Sequence, residues 1–186
     1  MNKTLQMVLA LGSISLVSGG SLAGIFVLTD PIIQKQDLAA KTQIAQQVLP
    51  GAEFDIAEGA GPMDRFEGKG KDGKLDGVVY ITSARGYGGP IDVVVGMTAD
   101  GTIQGVRVAK ASETPGLGTR INEVRYGEKE PYFTEQFRGD TVADFDSGKF
   151  KLDAISGATI SSRAVESAVR QAVERLKKEP FYKQPS

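Results

Sequence analysis

Between Lys3 and Asp30 the chain carries no charged residue. A helix crossing a bilayer needs roughly 20 apolar residues, because lipid offers its backbone polar groups no partner. The uncharged stretch Thr4–Thr29 exceeds that length. Its glycines, Gly12, Gly19, Gly20 and Gly24, weaken a helix in water, yet small residues suit close helix packing in lipid. Ser21-Leu22-Ala23 has the small-x-small form of a leader cleavage site. The apolar run nevertheless continues past it through Ile25, Phe26, Val27 and Leu28, so a retained single-pass membrane anchor is expected. Charge leaves its orientation open: Lys3 stands on one side, Lys35 and Lys41 on the other.

Behind such an anchor, 186 residues leave room for one modest domain. Lys and Arg total 22 and Asp and Glu 23, a formal net charge of -1, so no basic surface and no nucleic-acid partner are expected. The sequence contains neither cysteine nor histidine. That excludes disulfides, thiolate nucleophiles, cysteine-bound clusters and the usual general base near neutral pH. No metal site is expected, and redox chemistry would require an added organic cofactor.

Asp30-Pro31 reads as a helix start, an N-cap followed by proline at the first helical position. Leu38, Ile44, Val48 and Leu49 give a partial apolar stripe that Pro50-Gly51 ends. Gly68 to Lys74 is lysine- and glycine-rich but lacks phosphate-loop spacing, so an exposed hairpin tip is expected. Residues 78–82 and 91–95 are strand candidates, and 103–109 alternates as a half-buried strand should. Asp100-Gly101 marks a hairpin between the last two. Tyr132, Phe133, Gln136 and Phe137 suggest a short helix. A final helix carries Val165, Ala168, Val169, Ala172, Val173 and Leu176 on one face. Hairpins with terminal helices argue an α+β domain. The expected organisation is an anchor over 1–30, a connecting helix over 31–50 and a domain over 51–186.

Three clusters stand out as candidate chemistry. Ser156-Gly157-Ala158-Thr159 directly precedes the last helix, with Asp153 just upstream. Such a stretch is commonly an ordinary hydroxyl cap with a glycine approach turn. The same helix start also presents open amides that stabilise a phosphate, and Gly157 and Ala158 leave the Thr159 hydroxyl accessible. Glu113-Thr114-Pro115-Gly116-Leu117-Gly118 follows a strand. Its proline and glycines suit close approach to a flat ligand, with Leu117 either exposed toward it or plugging the core. Arg85-Gly86-Tyr87-Gly88-Gly89-Pro90 joins two strands, and alone it reads as a wide, flexible connection.

In this order behind one anchor, GYGGPI (86–91), ETPGLG (113–118) and DAISGAT (153–159) resemble the G subunit of the Rnf ion-translocating oxidoreductase. That family is similar to the C subunit of the sodium-pumping NADH:quinone oxidoreductase, and both carry an FMN-binding domain. The resemblance implies that a flavin transferase esterifies Thr159 with FMN through its phosphate. Asp153, Ser156, Gly157 and Ala158 match the other motif positions. It further implies that Glu113, Thr114, Pro115, Gly116, Leu117 and Gly118 lie against the isoalloxazine, with Leu117 as an apolar contact. Tyr87 would stack on the ring or merely pack.

The implied protein is an electron-transfer subunit, not a catalyst by itself. Its partners would be the other subunits of a membrane complex that moves electrons between ferredoxin and NAD, coupled to sodium or proton translocation. The uncharged anchor offers no ion path of its own. The resemblance implies a bacterial inner membrane location, with the domain on the periplasmic side. Two other readings compete: an anchored flavoprotein of a separate extracellular electron-transfer chain, and a non-redox anchored binding or assembly module.

Overall fold

A computed structural model describes residues 3–55, 65–70, 72–128 and 130–182. Contacts divide the chain into two compact units, Met1–Lys41 and Thr42–Ser186. Helix α1 runs over Lys3–Val48. Its stretch Gln6–Asp30 is long and apolar enough to cross a membrane. Large apolar side chains from Met7 to Leu28 are exposed. A helix apolar all round has no solvated face to offer water, and lipid is its matching solvent. The 25-residue stretch spans about 38 Å at the α-helical rise.

Asp30-Pro31 does not start a new helix, because α1 passes through it unbroken. A proline inside a helix removes one backbone bond at a cost of about 3 kcal/mol. Here no second breaker stands nearby, and Gln, Lys, Ala and Leu dominate the next turns. The side chains of residues 31–42, including Lys35, Leu38 and Lys41, lie outside the described residues. The end of the expected stripe is present: Val48 and Leu49 are buried and Ile44 is partly so.

The second unit is built on a five-stranded antiparallel meander in the order β1-β2-β3-β4-β5. The strands are β1 Glu53–Asp55, β2 Arg65–Lys69, β3 Leu75–Arg85, β4 Pro90–Thr98 and β5 Ile103–Ala111. The three anticipated strands are longer than expected, and β1 and β2 were not anticipated. Each of those two short strands contains one apolar residue, Phe54 or Phe66, too few to show a period. The exposed tip at the β2–β3 turn begins at Gly70, since Gly68 and Lys69 belong to β2; Lys71 lies outside the described residues. Asp100-Gly101 turns β4 into β5, with Gly101 at φ 92°.

Helix α4, Thr159–Leu176, lies on one face of the sheet. Its anticipated apolar face, including Val165, Ala168, Val169 and Val173, is buried against β3 and β4 side chains such as Val78, Tyr80, Val93 and Val95. A 3-10 turn Gly118–Asn122, helix α2 Tyr132–Glu135 and helix α3 Val142–Asp146 complete that layer. Phe133, Phe137, Phe145 and Phe150 join the same core.

The last turn of α1 covers the other face. Gly68 pairs with Gly77 and Gly96 with Gly105, and the two pairs form a trough in which Leu49 lies over the first and Val48 over the second. A Cβ on Gly96 would lie 2.4 Å from the Val48 carbonyl oxygen, and one on Gly77 3.0 Å from Leu49 Cδ2. Cover on both faces explains why β5 is not the half-buried strand its alternation suggested. Arg107 is buried there, donating to the Val106 carbonyl at 2.7 Å and pairing with Glu130 and Glu135.

Candidate functional site

The chain reaches α4 through a turn that only a small residue permits. Gly157 has φ 80°, a left-handed conformation that side-chain-bearing residues rarely adopt. Ser162, one turn inside α4, fastens this approach. Its hydroxyl accepts from the Ile155 amide at 3.1 Å and donates to the Ala158 carbonyl at 3.0 Å. The N-cap position is Ala158, and no side chain caps the helix. The ordinary hydroxyl cap is therefore not what forms. Ser156 falls too early and Thr159 occupies the first helical position, so neither hydroxyl stands where a cap side chain would. The amides of Thr159, Ile160 and Ser161 belong to the first turn, which an α-helix leaves without carbonyl partners. Thr159 is exposed at this end.

The segment after β5 folds over the same place. Leu117 N–H donates to the Thr114 carbonyl at 3.2 Å, and Gly116, at φ 76°, donates to the Thr119 hydroxyl at 3.0 Å. This tight turn leaves Leu117 50 % exposed instead of plugging the core. Leu117 leans on the α4 approach: a Cβ on Gly157 would sit 3.6 Å from its Cδ2. Residues 86–89 form a closed hairpin end, not a wide, flexible connection. The Gly86 amide donates to the Gly89 carbonyl at 2.8 Å, and Arg85 pairs with Pro90 in register. The turn closes this tightly because glycines let the chain press on its neighbour; a Cβ on Gly88 would lie 2.2 Å from the Ser112 carbonyl oxygen. Tyr87 projects from it, 72 % exposed.

These turns enclose a cleft of about 460 Å³. Tyr87, Leu117 and Ile160 supply apolar walls, and Thr159, Ser161 and Glu113 the polar groups. Thr114, Gly118, Gly157 and Ala158 complete the lining. Cofactor pockets are usually of this kind, about 300–1,000 Å³ and mostly apolar with a few placed polar groups. Glu113 is buried and holds two segments. One carboxylate oxygen accepts from the Gly88 amide at 3.2 Å, the other from the Ser161 hydroxyl at 2.6 Å.

Four expected residues stand away from the lining. Gly116 borders a separate shallow cleft with Thr119, Arg120, Asn122 and Glu123. Pro115 is exposed in the turn. Ser156 is exposed, and its carbonyl accepts from Arg120 Nη1 at 3.4 Å. Asp153 is exposed beside Gln136, whose side-chain oxygen accepts from the Asp153 amide at 2.9 Å. Ile160 and Ser161 were not anticipated. Their only signal in the sequence is position, since the first turn of a helix faces whatever binds at its start. Among the described residues, no cluster of acids is placed to hold a metal ion.

Comparison with known proteins bears on the same segments. A family model described as an FMN-binding domain matches residues 86–174, which include all three turns. The chain is 35 % identical to the G subunit of the ion-translocating oxidoreductase complex of Pasteurella multocida, over 89 % of this chain and 90 % of that protein. It is 30 % identical to the G subunit of the Na(+)-translocating ferredoxin:NAD(+) oxidoreductase complex of Acetobacterium woodii, over 87 % and 86 %. Among solved structures, the C subunit of the Na(+)-translocating NADH-quinone reductase of Parabacteroides distasonis matches with TM-score 0.48 and 26 % identity. That match covers 66 % of this chain and 63 %, under two thirds, of the other. An N-terminal apolar helix, an α+β domain matched by the FMN-binding model, and relatives that align over nearly their whole length lead to one assignment: the chain belongs to the family of G subunits of ion-translocating oxidoreductase complexes.

Proposed function

We propose that this chain is the electron-transfer subunit of a membrane complex that couples electron flow between ferredoxin and NAD to ion translocation, with FMN esterified to Thr159. The observation that carries the reading is convergence. Three turns far apart in sequence meet at one cleft, and its polar end is an exposed threonine at the start of α4. The residues present fit the group. Tyr87, Leu117 and Ile160 offer an apolar bed for a flat ring system, and the open amides of α4 suit a phosphodiester carrying about one negative charge. Bound there, FMN supplies transfer of one or two electrons. The protein holds it where a covalent link prevents loss between turnovers.

Attachment forms one bond, from Thr159 Oγ1 to phosphorus, and releases the hydroxyl proton. A phosphomonoester has no activated leaving group, so the donor is a flavin phosphoanhydride whose P–O–P bridge breaks and releases a nucleoside monophosphate. A flavin transferase brings this donor to the exposed hydroxyl. We divide the chain into an anchor over 1–30, a connecting helix segment over 31–50 and an FMN-binding domain over 51–186, with the domain on the periplasmic side. No ionisable side chain lies between Lys3 and Asp30, so ion conduction belongs to other subunits. The test is protein made with an active flavin transferase, run on a denaturing gel under ultraviolet light and weighed intact. Wild type should fluoresce and carry the added mass of one FMN ester, and Thr159→Ala should do neither. Equal fluorescence in the two would refute attachment at Thr159.

A further inference from the structure

We propose that Glu113 is a positioning residue, whose buried carboxylate locks the Gly86–Gly89 hairpin to the first turn of α4 and thereby fixes the mouth at which Thr159 is presented. The inference rests on the flavin reading of the cleft for its purpose, but not for its geometry. Glu113 is only 8 % exposed although Thr114, Pro115, Gly116 and Leu117 beside it are all exposed. Its two oxygens are engaged by different segments, one by the Gly88 amide at 3.2 Å and the other by the Ser161 hydroxyl at 2.6 Å. Ser161 is itself 1 % exposed and stands two residues after Thr159 in the same helical turn.

The glycines show that the protein makes room for this carboxylate. A Cβ on Gly86 would lie 2.2 Å from one Glu113 oxygen, and a Cβ on Gly118 2.4 Å from the other. Neither glycine has a positive φ, so backbone conformation does not require glycine at either place. Space does: the nearest atom at each is a Glu113 carboxylate oxygen, followed by Ile91 Cδ1 at 2.7 Å from the Gly86 position and by Glu113 Cβ at 2.8 Å and Ser161 Oγ at 2.9 Å from the Gly118 position. Packing alone would be served as well by an apolar side chain of similar volume, since burying a polar group costs free energy unless its bonds are made. An acid with both oxygens bonded instead fixes distance and direction, and here it fixes them between two walls of the cleft.

The test uses full-length protein in detergent, made without flavin transferase, and amide hydrogen exchange read in three windows: 86–90, 158–162, and the strand cores 78–82 and 91–95. Glu113→Ala should speed exchange about tenfold or more in the first two windows and leave the third unchanged, which shows the fold intact. Glu113→Asp keeps the charge but is one methylene too short to bridge, and should behave like alanine. Glu113→Gln can keep both bonds, its amide oxygen accepting from the Gly88 N–H and its amide nitrogen donating to the Ser161 hydroxyl. It should stay near wild type in both windows. Ser161→Ala, the mildest change, should loosen 158–162 alone, and adding it to Glu113→Ala should have no further effect in that window. When transferase and its donor are then supplied, Glu113→Ala should lower the maximal rate of covalent flavin incorporation about tenfold, with the half-saturating donor concentration little changed. Wild-type exchange rates in Glu113→Ala, full protection in Glu113→Asp, or an unaltered maximal rate would overturn the proposal. Wild type that takes up no flavin, with the exchange pattern as described, would instead sink the flavin reading and leave the brace standing.

Discussion

Gly96→Ala tests whether the sheet is glycine-lined because a helix end presses on it. The added methyl would lie 2.4 Å from the Val48 carbonyl oxygen, 2.7 Å from the carbonyl carbon and 3.0 Å from Val48 Cγ2. Ordinary contacts need about 3.5 Å, so the chain at Val48 must retreat by about 1 Å. Forcing a methyl into a packed interior costs about 1–3 kcal/mol. Alanine's advantage over glycine within a strand returns about 0.5–1 kcal/mol, which leaves a net loss of up to about 2.5 kcal/mol. Val48→Ala is the informative partner. Val48 is fully buried, and removing its two methyls costs about 2 kcal/mol in lost transfer and residual cavity. Because the closest clash is with backbone, the double variant should be at least as unstable as either single one. Guanidinium unfolding of the full chain in detergent, followed by tyrosine fluorescence, measures all three. Gly70→Ala serves as control, since the nearest atom to its Cβ is the exposed Asp72 Oδ1 at 3.1 Å and the next lie at an ordinary 3.9 Å. Recovery of stability in the double variant would place the clash in the Val48 side chain and refute the argument from the backbone.

Two further predictions concern how α4 is tied to the sheet. Tyr80 donates to Glu179 at 2.8 Å, and burial, reinforced by that bond, pushes its hydroxyl well above the ordinary value of about 10. A raised folded pKa means the stabilisation is complete below about pH 10 and is lost as pH rises beyond it toward the folded value. An ultraviolet titration of tyrosinate should therefore show Tyr80 ionising only with unfolding, and Tyr80→Phe should remove that late step; ionisation alongside the exposed tyrosines would contradict it. Thr82, buried in β3, donates to the Ala168 carbonyl at 2.8 Å. Thr82→Val should cost about 1 kcal/mol in the same unfolding assay, and an unchanged midpoint would show that this bond adds nothing to the packing.

Much of the fold is legible in sequence because much of it is decided locally. The uncharged run of α1, the apolar runs of β3 and β4 and the 3.6-residue stripe of α4 each announce a hydrophobic surface of one shape. What escaped depends on neighbours. Glu53-Phe54-Asp55 and Arg65-Phe66-Glu67 are strands only because β3 is there to pair with, setting Phe66 against Val79 and then β1 against β2. Gly77, Gly96 and Gly105 look like interruptions of their strands until the fold sets Gly96 and Gly105 under Val48 and Gly77 under Leu49. Arg107 takes a polar place in the alternation of β5, where solvent would be expected, and the arrival of Glu130 and Glu135 makes its burial tolerable.

The site divides along the same line. Each of its three turns is visible as a glycine-rich cluster, yet the glycines serve different purposes that composition cannot separate. Gly116 and Gly157 supply positive φ, which a turn signal announces. Gly86 and Gly118 have ordinary backbone, and the space a Cβ would take is filled by the Glu113 side chain together with Ile91 at the one and Ser161 at the other. The Glu113 carboxylate meets Ser161 across 48 residues of sequence, so nothing local distinguishes it from a solvated acid at the end of a strand. The converse holds for Asp153, which sits inside the most recognisable cluster yet stands beside Gln136, away from the cleft. A motif therefore marks where the chain must turn. Which of its side chains face the cleft is decided by the segments folded against it, and here the buried acid, not the visible hydroxyls, is the group that brings those segments together.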